Sequence, residues 1–337
     1  MYQKLEEIVE TFTTNPPLMD NMGRIIDYAR ISITNHCNLR CCYCMPDGAQ
    51  PDNTALLKTE EILFICKSLS EVGISKFKIT GGEPLLHSNV IELIKSLKQL
   101  PLVDQVTLTT NGVLLSDKLS GLMNAGLDGV NVSLDTLRPE RYQKITGVAA
   151  LHLVKQGIDD CLKKGMPLKL NCVFISQFNE DELLDFAELA KQNILDIRWI
   201  EMMPIGQGKR FETISNLQIL KRLEQQYGTF KCSEKKGNGP AVYYEHPDFM
   251  GKIGLISPVS QCFCNTCNRV RVTADGILKL CLNYELGFDL KELLKKEISQ
   301  LELSEEIKRM IYQKPKRHAF GMTATKLETR NMWQIGG

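Results

Sequence analysis

Between residues 28 and 201 two hydrophobic rhythms alternate along the chain. Apolar side chains at every second position mark Tyr28–Thr34, Lys76–Thr80, Gln105–Thr109, Gly129–Leu134 and Leu168–Phe174 as strands. Leu195–Glu201 is a sixth, with a less clean alternation. Between them the 3.6-residue period of an amphipathic helix runs through Lys58–Val72, Asn89–Leu100, Leu115–Ala125, Leu151–Lys164 and Asp181–Gln192. Such strand–helix alternation predicts βαβ units and a parallel sheet.

The strands carry a second signal. Parallel strands covered by helices on both faces read as continuous apolar runs. Here Ala29, Ile31 and Ile33 alternate with Arg30, Ser32 and Thr34, and Phe77 and Ile79 with Lys76, Lys78 and Thr80. Val106 and Leu108 alternate with Thr107 and Thr109, and Leu168 and Leu170 with Lys169 and Asn171. One face therefore packs on helices and the other meets something polar. A closed eight-stranded barrel fills its interior with Val, Ile and Leu. Inward lysines and an arginine instead predict a wider, incomplete barrel around a charged ligand. The competing arrangement, an antiparallel sheet with one solvated face, is disfavoured by the interposed helices.

The predicted fold is thus α/β, an incomplete (β/α)6 TIM-like barrel. After about residue 240 the rhythm breaks. Lys235–Pro240 reads as a loop or linker, followed by short strands, an Asp275-Gly276 hairpin and two charged helical stretches. This predicts a barrel domain over 1–240 and a smaller α+β domain over 241–337.

Charge and composition narrow the partners. The formal net charge is +1 over 337 residues, which gives no electrostatic footprint for nucleic acid. No apolar run is long enough to span a bilayer, and the opening MYQKLEEIVE lacks a signal-peptide core. A cytoplasmic protein is expected, with the Lys314–Arg317 run on the solvated surface. In a reducing compartment, twelve cysteines point to metal binding or catalysis rather than disulfides.

Their placement is uneven. Cys66, Cys161 and Cys172 fall among apolar neighbours and read as core. Cys37, Cys41 and Cys44 form C-x3-C-x2-C in the loop after the first strand, where barrel chemistry resides. Three thiolates can hold a [4Fe–4S] cluster with one iron open to a ligand. Zinc is the alternative, with His36 as a fourth donor. Gly81-Gly82-Glu83-Pro84 follows the second strand; its glycines allow close backbone approach, and Glu83 can accept from an ammonium. Near the end, Cys264, Cys267 and Cys281 form C-x2-C-x13-C, with Arg269 and Arg271 on one strand face beside them. The hairpin returns Cys281 towards Cys267. Cys262 is a candidate fourth ligand that would close this site. Paired arginines suit phosphate.

C-x3-C-x2-C with an aromatic residue before its last cysteine resembles the signature of the radical S-adenosylmethionine (SAM) superfamily. In that family SAM chelates the open iron and is cleaved to a 5′-deoxyadenosyl radical. By that resemblance Tyr43, Gly82, Ser133 and Met203 contact SAM. The paired cysteine motifs, Cys267-Asn-Arg269-Val-Arg271 and the terminal Ile335-Gly336-Gly337 are similar, more narrowly, to GTP 3′,8-cyclases of molybdenum-cofactor biosynthesis. The likeness runs from about residue 18 to the last.

It implies a lyase with two [4Fe–4S] clusters, held by Cys37, Cys41 and Cys44 and by Cys264, Cys267 and Cys281. It implies GTP bound by Arg30, Lys78, Thr109, Lys169, Arg269 and Arg271, and catalytic roles for Arg269, Arg271, Gly336 and Gly337. It also implies a reductant protein of flavodoxin or ferredoxin type and a following enzyme that receives the product, and leaves a homodimer open. One departure is Lys78, where that family usually has arginine. A radical SAM peptide maturase, or a non-catalytic iron–sulfur or zinc protein, are the competing functions; the first needs a peptide-binding extension, for which no segment is suited, and the second has no need of the inward cations.

Overall fold

The computed structural model describes residues 17–45, 56–212, 214–234, 237–320 and 327–336. Six strands appear in the expected order: β1 (Tyr28–Ser32), β2 (Lys76–Thr80), β3 (Gln105–Thr110), β4 (Gly129–Ser133), β5 (Leu168–Val173) and β6 (Asp196–Ile200). Each pairs in parallel with the next. Helices α1 (Thr59–Glu71), α2 (Val90–Lys98), α3 (Leu115–Asn124), α4 (Pro139–Thr146), α5 (Leu151–Lys163) and α6 (Leu183–Gln192) connect them. The helix expected to start at Asp181 begins instead as a short 3-10 turn over Glu180–Glu182. Helix α4 was not expected; only Tyr142, Ile145 and Thr146 of its eight residues are buried, too few to print a period.

The alternation divides the faces as expected. Ala29, Ile31, Phe77, Ile79, Val106, Leu108, Leu168, Leu170, Ile197 and Trp199 are all buried in one core with Ile62, Ile65, Leu93, Leu119, Val154 and Phe186 of the helices. Burying each such side chain contributes roughly 1.5–3 kcal/mol. The opposite face carries Arg30, Lys78, Thr107, Thr109, Asn131, Lys169 and Asn171, which line a central cavity of about 420 Å³.

The remaining chain adds α7 (Asn216–Tyr227), β7 (Lys231–Cys232), β8 (Val242–Glu245), β9 (Ile253–Ile256), β10 (Arg269–Val272), β11 (Ile277–Lys279), β12 (Phe288–Asp289), α8 (Leu290–Leu294) and α9 (Gln300–Tyr312). Its strands extend the sheet at both edges. β9 lies parallel to β6 and β10 parallel to β1, giving the order β12-β11-β10-β1-β2-β3-β4-β5-β6-β9-β8-β7. No ladder joins β9 to β10 among the described residues, so the barrel stays open. Helix α9, capped by Ser299 and Glu302, packs on α1, where Ser304 donates to Glu71 at 2.9 Å. Gly237–Pro240 is not a free linker: these residues line the cavity, and the Asn238 amide donates to Gln105 at the start of β3.

Candidate active site

Chain direction sets the two cysteine groups at opposite ends of this cavity. Cys37, Cys41 and Cys44 follow β1 and so lie at the C-terminal ends of the parallel strands. Cys264 and Cys267 precede β10, which runs parallel to β1, and so lie at the N-terminal ends. In the β10–β11 hairpin, Arg271 pairs with Lys279, a register that sets Cys281 opposite Arg269, two residues from Cys267. Gly276, at φ +95°, makes the turn. All six cysteines line the one cavity.

At the upper end the loop after β1 is strapped to the loop after β2. The Gly82 N–H donates to the Thr34 carbonyl and the Glu83 N–H to the His36 carbonyl, both at 2.7 Å. A Cβ on Gly82 would stand 2.2 Å from the His36 oxygen, and one on Gly81 2.6 Å from the Thr34 oxygen. The two glycines are therefore demanded by loop crossing, whatever ligand lies above them. Glu83 also has partners within the chain. Its carboxylate accepts from Leu85 N (2.9 Å), Thr110 Oγ1 (2.7 Å) and Asn111 N (2.6 Å), and so braces the next loop.

Helix α4 docks the cysteine run from outside: Arg40 N–H donates to the Thr146 carbonyl and Cys42 N–H to the Ile145 carbonyl. Cys42 is exposed. The Cys44 N–H donates to the Cys41 carbonyl, a turn that gathers the triad. Burial pushes the Cys41 thiol well up, and Cys44, Asp135 and Cys37 push it further. Burial pushes Cys44 up to about 12. Three half-buried thiols that oppose one another's ionisation fit a cationic metal centre. N–H donors already aim at the sulfur of Cys37, from Leu39 at 3.4 Å and Asn111 at 3.8 Å, as suits a cluster ligand. Tyr43 donates to Asp135 at 2.5 Å, and Asp135 also accepts from Val173 N at 2.8 Å. Gly82, Ser133 and Met203 share the cavity lining with Tyr43.

The lower end is cationic. Register places Lys78, Arg30 and Arg271 side by side on β2, β1 and β10. Burial, and then neighbouring cations, hold Lys78 and Arg271 well below their ordinary values. Adjacent like charges on a sheet are destabilising, so the row fits a polyanion. Arg269 stacks on Phe263 at 5.0 Å. Lys169 is partly engaged, donating to Tyr243 Oη at 2.9 Å and pairing with Asp196 at 3.4 Å. Thr109 lines the cavity beside them. Burial opposes ionisation of Cys267, but Lys314, Arg269 and Arg24 together bring its thiol below the usual value.

Arg198 on β6 was missed. Ile197 and Trp199 are buried outward while Asp196 and Arg198 alternate with them, so the signal was present. Its guanidinium donates to Asn131 at 2.6 Å. Lys314, expected on the solvated surface, is buried, and its ammonium donates to the carbonyls of Arg269 (2.8 Å) and Leu280. Arg24 is also buried; it gathers the carbonyls of Cys264, Lys314, Pro315 and Lys316.

The C-terminal segment climbs between the two ends. A buried ion pair, Lys279 with Glu328, anchors it beside Cys281. Trp333 then buries its ring, and its backbone N–H is directed to the Cys44 sulfur. The Gly336 carbonyl accepts from Arg271 at 3.1 Å, and a Cβ at Gly336 would stand 3.1 Å from Ser32 Cβ. Gly337 lies outside the described residues.

Two family models divide the chain: Radical SAM superfamily matches residues 31–190, and Molybdenum Cofactor Synthesis C matches 195–320. The chain is 42% identical to GTP 3′,8-cyclase of Clostridium perfringens (strain 13 / Type A), over 95% of this chain and 100% of that protein. The chain belongs to the GTP 3′,8-cyclase family. It is likewise 40% identical to GTP 3′,8-cyclase of Peptoclostridium acidaminophilum, over 95% of this chain and 98% of that one. Molybdenum cofactor biosynthesis protein 1 of Drosophila melanogaster is 40% identical over 94% of this chain and 57% of its own length. Among solved structures, Streptococcus suis SuiB superposes with a TM-score of 0.59 at 14% identity, covering 93% of this chain and 76% of that one. Native anSMEcpe with bound AdoMet superposes at 0.55 and 17% identity, covering 91% and 93%. These two likenesses concern the fold, a radical SAM partial barrel. A member of this superfamily uses SAM and a [4Fe–4S] cluster. No helix among the described residues is long and apolar enough to cross a membrane.

Proposed function

We propose that the chain is a lyase that converts GTP to 3′,8-cyclo-7,8-dihydro-GTP, the entry reaction of molybdenum-cofactor biosynthesis. SAM bound at the upper cluster supplies a 5′-deoxyadenosyl radical, which takes hydrogen from ribose C3′ so that C3′ can join guanine C8. Cys37, Cys41 and Cys44 hold that cluster, and Tyr43, Gly82, Ser133 and Met203 seat SAM. Asp135 orients Tyr43. Cys264, Cys267 and Cys281 would hold a second [4Fe–4S] cluster, which would supply a binding place for the guanine. Arg30, Lys78, Thr109, Lys169, Arg269 and Arg271, joined by Arg198, hold the triphosphate. Arg271 also carries the Gly336 carbonyl, and a side chain at Gly336 would crowd Ser32, so this glycine can approach the substrate where a larger residue could not. A flavodoxin or ferredoxin type protein supplies electrons, and the product passes to the next enzyme of the pathway.

The observation that carries this is the row Lys78–Arg30–Arg271, buried at Arg271 and half-buried at the other two, set on three neighbouring strands between two cysteine triads. A peptide substrate gives that row no purpose. The test is anaerobic: reconstituted protein, dithionite and SAM are incubated with and without GTP. Strong stimulation of 5′-deoxyadenosine release, with a cyclised GTP product, is expected. Release indifferent to GTP would overturn the proposal.

A further inference from the structure

Cys262 belongs to neither triad. Its thiol is exposed, two residues before the buried Cys264. Yet one ligand atom each of Cys262, Cys264 and His318 lie within 4.8 Å of one another, the one such group among the described residues. A tetrahedral zinc-type site sets its ligand atoms about 3.3–3.8 Å apart, so a closing movement of about 1 Å forms one. Two thiols and an imidazole are the donors that such borderline-soft ions prefer. The fold already gathers them: the His318 backbone N–H donates to Cys264 Sγ at 3.4 Å. His318 Nε2 is buried and makes no well-formed hydrogen bond, with the Pro258 carbonyl nearby. Ligation through Nε2 moves the ring proton to Nδ1 and gives up a 3.2 Å hydrogen bond from the Phe320 N–H.

We infer that Cys262, Cys264 and His318 form a mononuclear site for a thiophilic divalent ion of the zinc class in the cluster-free chain. Cys264 is common to this site and to the lower triad, and one thiolate cannot serve both. Zinc and the lower cluster therefore exclude one another. That exclusion rests on the cluster assignment proposed above; the metal site does not.

The test uses the full chain with Cys37, Cys41 and Cys44 replaced by alanine, reduced and free of metal under anaerobic conditions. Co²⁺ is titrated and read by its ligand-field and thiolate charge-transfer absorption. One tightly bound tetrahedral Co²⁺, displaced by Zn²⁺, is expected. Cys262→Ala and His318→Ala, each checked for native circular dichroism, should weaken binding about 100-fold or more. Cys267→Ala and Cys281→Ala should leave it within about twofold of the parent. Loss of binding in Cys267→Ala or Cys281→Ala, its retention in Cys262→Ala, or no tight Co²⁺ at all would each overturn the site. A second arm preloads the otherwise unaltered chain with Zn²⁺ before iron and sulfide reconstitution. Zinc should cost the iron and sulfide of one cluster, and Cys262→Ala should restore them. Full uptake despite bound zinc would reject Cys264 as a cluster ligand while leaving the metal site standing.

Discussion

The two cysteine triads face one cavity from opposite ends and in opposite surroundings. Around Cys37, Cys41 and Cys44 the nearby ionisable groups are mainly acidic or neutral, Asp135, Glu83 and Tyr43, with Arg40 a weaker positive neighbour of Cys37. Around Cys264, Cys267 and Cys281 they are Arg24, Arg269, Arg271 and Lys314. Each triad offers three sulfurs, and on the proposed reading the charges around them sort the ligands between the two ends. An acidic neighbourhood favours a sulfonium with an ammonium group, whereas a cationic one favours a triphosphate. Strand direction produces this separation, because the upper loop leaves a strand end and the lower one enters a strand start.

The hardest test of the contrast exchanges one cysteine at a time. Cys41→Ala should abolish reductive SAM cleavage altogether. Cys281→Ala should leave uncoupled release of 5′-deoxyadenosine but give no cyclised product. Chromatography of both products from the same reaction decides it. Normal cyclisation by Cys281→Ala would remove the lower triad from the mechanism.

Next in size is the anchor that ties the ends together. Lys279 and Glu328 are both buried, so removing one partner leaves an uncompensated charge. Glu328→Ala should destabilise the chain by about 3–5 kcal/mol, while Lys279→Met with Glu328→Leu should be close to neutral. Denaturant midpoints of the cluster-free chains compare them. If the double variant fell as far as the single one, the pair's role would lie in shape rather than charge.

Much of this was legible in the sequence because a polar-faced parallel strand is rare enough to be informative. The alternation in β1, β2, β3 and β5 aimed Arg30, Lys78, Thr109 and Lys169 into one space before any distance was known. Arg198 obeyed the same rule, but Leu195 and Ile200 blurred its strand. Other features had no local trace. Lys314 sits in a Lys-Pro-Lys-Arg run that looks solvated, and its partners, the carbonyls of Arg269 and Leu280, are brought to it only by the fold. The pairing of β10 with β1 and of β9 with β6 is of the same kind: short strands late in the chain complete edges laid down early.

Arg271 sharpens the contrast at smaller scale. It lies in the cation row and also holds the Gly336 carbonyl. Arg271→Ala should weaken GTP binding by about 1.5–3 kcal/mol, the worth of a hydrogen bond to a charged group. SAM affinity, governed at the other end, should stay unchanged. Equilibrium dialysis with each ligand measures both, and an equal loss for SAM would erase the division of labour between the ends.

The smallest expected effect is at Lys78, where the cyclase family usually places arginine. Burial, then Arg198, Arg30, Lys169 and Arg269, lower its affinity for a proton. In the ligand-free chain the folded state thus binds fewer protons there than the unfolded one, so stability gains as pH rises through that window. Bound triphosphate reverses the balance by favouring the ammonium. GTP binding then takes up a proton above the depressed value, and affinity should fall as pH rises beyond the range in which the phosphates themselves titrate. Lys78→Arg cannot lose its charge and can bind phosphate in a bidentate fork. It should therefore tighten GTP by up to about 1.4 kcal/mol and flatten the pH dependence. Calorimetric titrations above that range separate the two effects. An unaltered slope in Lys78→Arg would assign the proton to another member of the row, and weaker binding at every pH would mean that β2 has no room for the fork beside Arg30.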